Sequence, residues 1–465
     1  MPLVNHAVTN NSPFAPDTPL AVQMARTLLA MSVEQLPMAV IEKVKVCLFD
    51  LIGCAFEAHS LPWSRQARQV IETSADLRRG ASVIGMAGRV SAADAAFANA
   101  VMAHGLVRED MHAGSISHLG IIVLPTLLAL AQRRRVSGRD FIAAAVVGYE
   151  AGGQLGRAVM DAEVAKIHRP TGVTGPLAGA AAGARLLALS EEQTTSAIAL
   201  GANTTVGYNQ WAHTGGSEMF FQAGFAARNA VMAVGLAEAG AFASPTALEG
   251  EAGLFAAFGK RAQANLSLFA AEPEILSVYH KPVPACNFAQ TASQAALRLT
   301  REAGFSMDDI ASITVRVPRA GALYPGCNHR GPFAHILQAK MSIQYNVAAA
   351  LMEGGVSEKN FALLNDARLH RLIGLMSLEI DEEMTRVYPH QQGGEVEIHK
   401  RDGAVLRHRL KDVVNAEPSE VRDRFRVAAT AMVGARRAAM IEDFIEHLHA
   451  SDDAGQLSVL LEAEA

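Results

Sequence analysis

The chain has 465 residues, half of them apolar and 19% charged, with a formal net charge of −5. That length exceeds what one growing core accommodates, so two domains are expected, and the mild acidity without a basic face argues against nucleic-acid binding. Cys47, Cys54, Cys286 and Cys327 are widely spaced with no CxxC pair, which disfavours a disulfide framework, a zinc finger or an iron–sulfur site and fits a reducing compartment, the cytoplasm.

Residues 1–18, rich in Asn, Pro and Thr, lack the basic-then-apolar order of a signal peptide and are expected to form a flexible arm. From about Leu20 to Ala270 apolar positions recur every three or four residues, predicting helices through Met38–Phe56, Ala92–Leu106, Leu124–Gln132, Phe141–Val159 and Glu191–Leu200. The run from Gly175 to Leu189 is so rich in Ala and Gly that close helix–helix approach is expected, in a broad helical domain rather than a slim bundle. Thr171 or Thr174 is expected to cap a helix after His168. Between roughly Pro273 and Leu410 the pattern changes. Ser312–Pro318 alternates like a half-buried strand, and Gly394–Arg409 reads as a hairpin around Asp402-Gly403. Ser419 is placed as the cap of a closing helix that runs to about Leu448 and rejoins the first domain. The fold class is therefore mainly α with an α+β second domain: helical over 19–271 and 416–465, α+β over 272–415, crossing at Glu272-Pro273 and Glu417-Pro418. Nothing approaches twenty uninterrupted apolar residues, so no membrane span is expected.

Chemistry is concentrated in His104–His118, which holds three histidines, an arginine and two carboxylates between apolar runs, and continues in Lys166–Gly175. Imidazoles move protons near neutrality, and guanidinium and ammonium groups hold carboxylates, so this density points to a site for small carboxylic acids. G-x-S-x-G, H-E-x-x-H and G-x-G-x-x-G are absent, so hydrolase and nucleotide readings fall away. His112 with His118, and His447 with His449, lack helical i,i+4 spacing and a third ligand, so no metal site is expected.

Several stretches together carry a family likeness: Leu36–Gly53, Ser91–His104, His168–Gly175, Gly224–Ala230, Lys281–Cys286 and Lys340–Tyr345. In order and spacing the chain resembles the MmgE/PrpD family, which includes 2-methylcitrate dehydratase, cis-aconitate decarboxylase and iminodisuccinate epimerase, over nearly its whole length. The resemblance implies a large helical domain formed by both chain ends, a smaller α+β lid, a homodimer, and no organic cofactor or required metal. It implies catalytic roles for His118, His168, Lys281 and Tyr345. Asp110 is the surviving acid of a segment that reads His-Ala-Leu-Asp-Tyr-Asp-Asp-Thr in many relatives, where this chain has Val107 and Met111 for the first Asp and the Thr. Met219 and Gln222 stand where many relatives carry Lys and His. Arg108, His112 and Arg169 are candidates to hold a substrate carboxylate, and His329 and Arg330 are candidates for a second contact from the lid.

Each assignment has a plainer competitor: His118 as a hydrogen-bonded core histidine, Lys281 as a solvated lysine, Tyr345 as helix packing, and Arg108, His112, His329 and Arg330 as loop polarity. The expected function is a cofactor-independent lyase or isomerase, a dehydratase, decarboxylase or epimerase. It would work by proton transfer at a carbon next to a carboxylate of a small di- or tricarboxylate-like acid. The alternative is a catalytically inactive, dimeric ligand-binding relative. Neither reading calls for a nucleic acid or membrane partner.

Overall fold

The computed structural model describes residues 17–71, 80–205, 207–260, 266–269 and 272–463. All but the last two residues of the expected N-terminal arm lie outside the described residues. Helices dominate the first half: α1 Leu20–Leu29, α2 Met38–Ala58, α3 Pro62–Gln69, α4 Ala92–His104, α5 Gly120–Leu130, α6 Gly138–Val159, α7 Ala162–Ile167, α8 Pro170–Leu186, α9 Glu191–Ala202, α10 Trp211–Thr214, α11 Glu218–Glu238 and α12 Leu254–Ala257. Two short antiparallel pairs accompany them, β1 Ala81–Ser82 with β2 Arg89–Val90, and β3 Met111–His112 with β4 Val278–Tyr279.

Backbone approach organises the helical body. Gly175, Gly179 and Gly183 of α8 are four residues apart and so share one face. A methyl group at Gly179 would lie 2.6 Å from Ala230 Cβ of α11, and at Gly175 or Gly183 it would lie 2.8 or 2.7 Å from Ile122 or Leu130 of α5. On another face, Gly148 and Gly152 of α6 would meet Ala182 and Ala178 of α8 at 2.9 and 2.8 Å. Interiors packed this closely leave no room for side chains at those positions. The stripe therefore sets the beginning of α8 beside the beginning of α5, which positions the candidate site.

The α+β part contains α13 Gln290–Leu299, β5 Ile310–Val317, α14 Arg319–Leu323, α15 Ile336–Met341, α16 Ile343–Glu353, α17 Ala367–Gly374, β6 Met376–Ile380, α18 Glu382–Val387, β7 Gly394–Lys400 and β8 Val405–Leu410. The sheet order is β6-β5-β7-β8, with β6 parallel to β5 and the other pairs antiparallel. The strand and hairpin read from the sequence are both present: Asp402 Oδ1 accepts the Ala404 N–H at 2.9 Å, and Gly403 takes the left-handed conformation (φ 86°) that its turn needs. Ile313, Val315, Val317, Val396 and Ile398 are buried, and α13 packs against β7 and β8.

The chain then returns to the helical body through α19 Pro418–Glu446 and α20 Gly455–Leu460. Phe425 packs on Phe49 of α2 with ring centroids 5.0 Å apart, and Ser458 Oγ donates to Leu128 O of α5 at 3.1 Å. The closing helix begins one turn-position earlier than Ser419 suggests. Pro418 occupies its first turn, where the missing N–H costs nothing, and Glu420 accepts the Glu417 N–H at 3.0 Å, leaving Ser419 inside. Gly434 (φ 77°, ψ 158°) breaks α19 into two helices, a break that apolar periodicity does not register.

Candidate active site

The segment between α4 and α5 leaves one helix and enters the next through two non-glycine residues with positive φ, Val107 (58°) and Ile116 (54°). Left-handed backbone costs a β-branched residue roughly 1–2 kcal/mol, so the surroundings must hold it. They do so through ladder pairing of Met111 with Tyr279 and His112 with Val278, and through a buried polar clamp. His112 Nε2 lies 2.6 Å from Glu274 Oε2 and its Nδ1 lies 2.8 Å from Ser115 Oγ, while Gln154 and Arg157 donate to the same Glu274. His112 thus fixes the loop to the chain crossing into the α+β part.

Within this frame the neighbouring acids Glu109 and Asp110 separate. Asp110 accepts from Tyr149 Oη and the Gly120 N–H. Gly120 has no side chain because a Cβ there would collide with both partners. Burial pushes the Asp110 carboxyl up to about 6. Glu109 turns the other way, into a pair of histidines: Oε1 lies 2.5 Å from His104 Nδ1 and 3.0 Å from His118 Nδ1. Burial would raise Glu109, but His104 and the nearby Lys281 outweigh it and hold the carboxyl below its usual range. Its second oxygen, Oε2, is buried without a hydrogen-bond partner.

The two imidazoles have assignable tautomers. Arg169 Nη2 donates to His104 Nε2 at 3.1 Å, so His104 carries its proton on Nδ1, toward Glu109. His118 Nδ1 also faces the Asp110 carbonyl at 2.9 Å and therefore donates, leaving Nε2 as a lone-pair nitrogen with no partner among the described residues. Burial, reinforced by Lys281, His104 and Arg169, holds His118 well below the ordinary histidine range, so it is neutral at pH 7. Burial likewise lowers His104, and it lowers Lys281, whose Nζ donates to Ala285 O at 3.1 Å. Thr171 and Thr174, expected as caps, sit inside α8. Thr171 Oγ1 accepts the His118 N–H at 3.1 Å and Thr174 Oγ1 donates to Ser117 Oγ at 3.0 Å, so both secure the His118 backbone.

His118 and Arg169 open onto a cleft enclosing about 330 Å³, lined also by Val107, Met111, Ile116, Met219, Cys286, Asn287, Phe288, Tyr324 and Met341. Arg169, only 5% exposed, stacks its guanidinium over Trp211 at 5.7 Å. No carboxylate pairs with it among the described residues. From the α+β side, buried Lys340 reaches across to the loop: its Nζ donates to Leu106 O at 3.0 Å, Pro284 O at 3.2 Å and Glu358 Oε2 at 2.6 Å.

The structure thus gathers His118, Arg169 and Met219 around the cleft and sets Lys281 within electrostatic reach of Glu109. It places the other candidates elsewhere. Arg108 pairs with Glu57 at 2.6 Å, and Gln222 donates to Tyr208 O at 3.0 Å. The His168 ring packs on Phe258 and Tyr208 at 4.9 and 5.8 Å. Tyr345 donates to Asn360 O at 2.8 Å between Phe333 and Phe361. His329 packs on Phe333, and Arg330 donates to the Ile373 and Gly374 carbonyls at the end of α17. Sequence reasoning assigned no role to His104 or Glu109, although both lie in the stretch it singled out. Among the described residues no group of three or more His, Cys, Asp or Glu side chains is arranged to hold a metal ion, and no helix is long and apolar enough to cross a membrane.

An imidazole base, a charge-compensating carboxylate and an unpaired guanidinium around a small cleft suit chemistry at a carbon beside a carboxylate, and comparisons with known proteins point the same way. The chain is 25% identical over 492 aligned residues to the cis-aconitate decarboxylase-like protein oryM of Aspergillus oryzae, covering 97% of this chain and 98% of that one. It is 25% identical to human cis-aconitate decarboxylase, with 79% of each chain covered, and 25% identical to 2-methylcitrate dehydratase of Cupriavidus necator, with 74% of each covered. Residues 22–267 match the MmgE/PrpD N-terminal domain and residues 283–450 match the MmgE/PrpD C-terminal domain. On these two matches, which take in the helical body, the cleft and the sheet, the chain belongs to the MmgE/PrpD family.

Proposed function

We propose that the protein is a lyase acting on a small carboxylic acid, with His118 as the base that removes a proton from the carbon next to a carboxylate held by Arg169. The observation that carries this reading is the buried guanidinium of Arg169, which lacks a carboxylate partner and lies beside a neutral histidine with a free Nε2. A buried unpaired cation is costly, and a substrate carboxylate supplies the missing partner, in two-pronged fashion. As His118 takes the proton it becomes an imidazolium, and the Glu109 carboxylate 3.0 Å from Nδ1 stabilises that charge. Arg169 meanwhile lies where negative charge develops on the substrate carboxylate. His104, between Glu109 and Arg169, keeps both groups in register. Loss of a β-substituent from the carbanion, hydroxide or carbon dioxide, completes a dehydration or decarboxylation. The names of the relatives support this pair of reactions. The neutral state of His118 at pH 7 suits a base.

Proton NMR in deuterium oxide tests the reading directly. Deuterium uptake or an unsaturated product is expected with a panel of small hydroxy and unsaturated acids, and His118→Ala should abolish it while the circular dichroism spectrum stays unchanged. Full turnover by a folded His118→Ala protein would overturn the assignment.

A further inference from the structure

We propose that this cleft is built for an acid with a single carboxylate and an apolar arm, rather than for a di- or tricarboxylate. The proposal rests on the reading of His118 and Arg169 given above and narrows the substrate class of that site.

Charge is the first argument. Around the cleft, Arg169 and Lys281 are the cations and Glu109 is the carboxylate, held in its ionised state by its neighbours, while His104 and His118 are neutral at pH 7. Two cations against one carboxylate leave at most one unbalanced positive charge. A second substrate carboxylate would enter without a counter-charge, which a buried site penalises strongly.

Hydrogen bonding is the second. Asn287 lines the cleft, but its Nδ2 donates to Gln392 at 2.6 Å and its Oδ1 accepts from Tyr279 Oη, so both ends of the amide are engaged. The Cys286 thiol is turned to Cys327, 3.5 Å away. The polar groups left for a ligand are the Arg169 guanidinium, the His118 Nε2 and the Tyr324 hydroxyl beside Arg169. These three are enough for one carboxylate and one reacting carbon.

The third argument is the wall. Val107, Met111, Ile116, Met219, Phe288 and Met341 present only hydrocarbon and thioether to the cleft. Methionine side chains adapt to irregular alkyl shapes. A volume of about 330 Å³ lies at the lower end of the range of about 300–1,000 Å³ in which small-molecule sites fall, and suits a short branched or unsaturated chain.

The test is ligand-observed NMR titration of the full-length protein with unsaturated acids of matched size: crotonate, 2-pentenoate and 2-methyl-2-butenoate against fumarate, citraconate and cis-aconitate. The monocarboxylates are expected to bind at least tenfold more tightly than the di- and tricarboxylates, and Arg169→Gln should remove that binding. Met219→Lys, which adds a cation to the apolar wall, should move the preference at least tenfold toward citraconate. Tighter wild-type binding of citraconate or cis-aconitate than of every monocarboxylate would overturn the proposal while leaving the role of His118 and Arg169 intact. If no acid of either class binds and none undergoes exchange, the functional reading fails, and this proposal fails with it.

Discussion

His118 Nδ1 and Glu109 Oε1 lie 3.0 Å apart, although the residue next to Glu109, Asp110, points to the opposite side of the loop. The pair joins a base to the charge that stabilises its protonated form. Glu109→Gln keeps the size of the side chain and removes that charge. The expected result is a fall in kcat of about 10²–10⁴-fold, the usual worth of general acid–base assistance, with a smaller change in KM. A variant with undiminished kcat would show that the carboxylate is structural only.

The pH profile follows from the state of His118. A base must be unprotonated, so kcat/KM falls as pH drops through the His118 pKa, and burial places that pKa well below the ordinary histidine range. Activity should therefore remain level from pH 7.5 to below 6.5. Glu109→Gln removes a group that favours the imidazolium and should move the acid limb lower still. An acid limb centred near 6.5 would contradict the buried, Lys281-flanked setting.

Asp110 titrates in the opposite sense from a salt-bridged acid. Its carboxyl is raised from 3.8 to about 6 in the folded protein, so it contributes stability that is fully present below pH 3.8 and lost as pH rises through 6. The shift corresponds to about 3 kcal/mol across that window. Asp110→Asn cannot ionise, so the difference in unfolding free energy between variant and wild type should move in the variant's favour between pH 4 and pH 8, as read by urea denaturation. An unchanged difference would mean that Asp110 folds without holding its proton.

In the sheet, Glu395 is fully buried and binds Arg316 at 2.5 Å, Arg407 at 2.7 Å and Arg409 at 3.4 Å. Truncation leaves these arginines without their shared partner. Glu395→Ala should cost about 3–5 kcal/mol, seen as a lowered Tm. A change within 1 kcal/mol would show that the surface carboxylates Glu379 and Glu397 carry the network alone.

All four cysteines are buried. Burial raises the thiols of Cys47 and Cys54 and, together with Cys286, that of Cys327. Only Cys286 lines the cleft. The native protein should therefore expose no more than one thiol to an aromatic disulfide reagent, and four after unfolding. Rapid native reaction of Cys47 or Cys54 would refute the packing of α2.

What could be read in advance follows from which physical rule governs each segment. Periodicity is a local property, so α2, α4, α6, β5 and the Asp402-Gly403 hairpin were legible, as was the glycine-rich face of α8. The site was legible as a stretch but not as a geometry. Which of Glu109 and Asp110 meets the histidines depends on the left-handed Val107 and on the pairing of Met111 with Tyr279, 168 residues away in sequence. Tyr345 shows the same limit from the other side. Ser342 ends α15 and its hydroxyl accepts the Tyr345 N–H at 2.9 Å to start α16, which points the ring into the packing of Phe333 and Phe361 rather than toward the cleft.

Lys340 has a bearing on the tempo of turnover. Its ammonium is fully buried and belongs to the α+β part, but one of its hydrogen bonds ends on the Leu106 carbonyl, immediately before the strained Val107. Any outward swing of the sheet domain that widens the cleft must break that bond and leave a buried charge with fewer partners. The same swing would remove one restraint on the backbone that carries Glu109. Opening for product release and disassembly of the base are then one motion, so the cleft is competent for proton transfer only while it is shut.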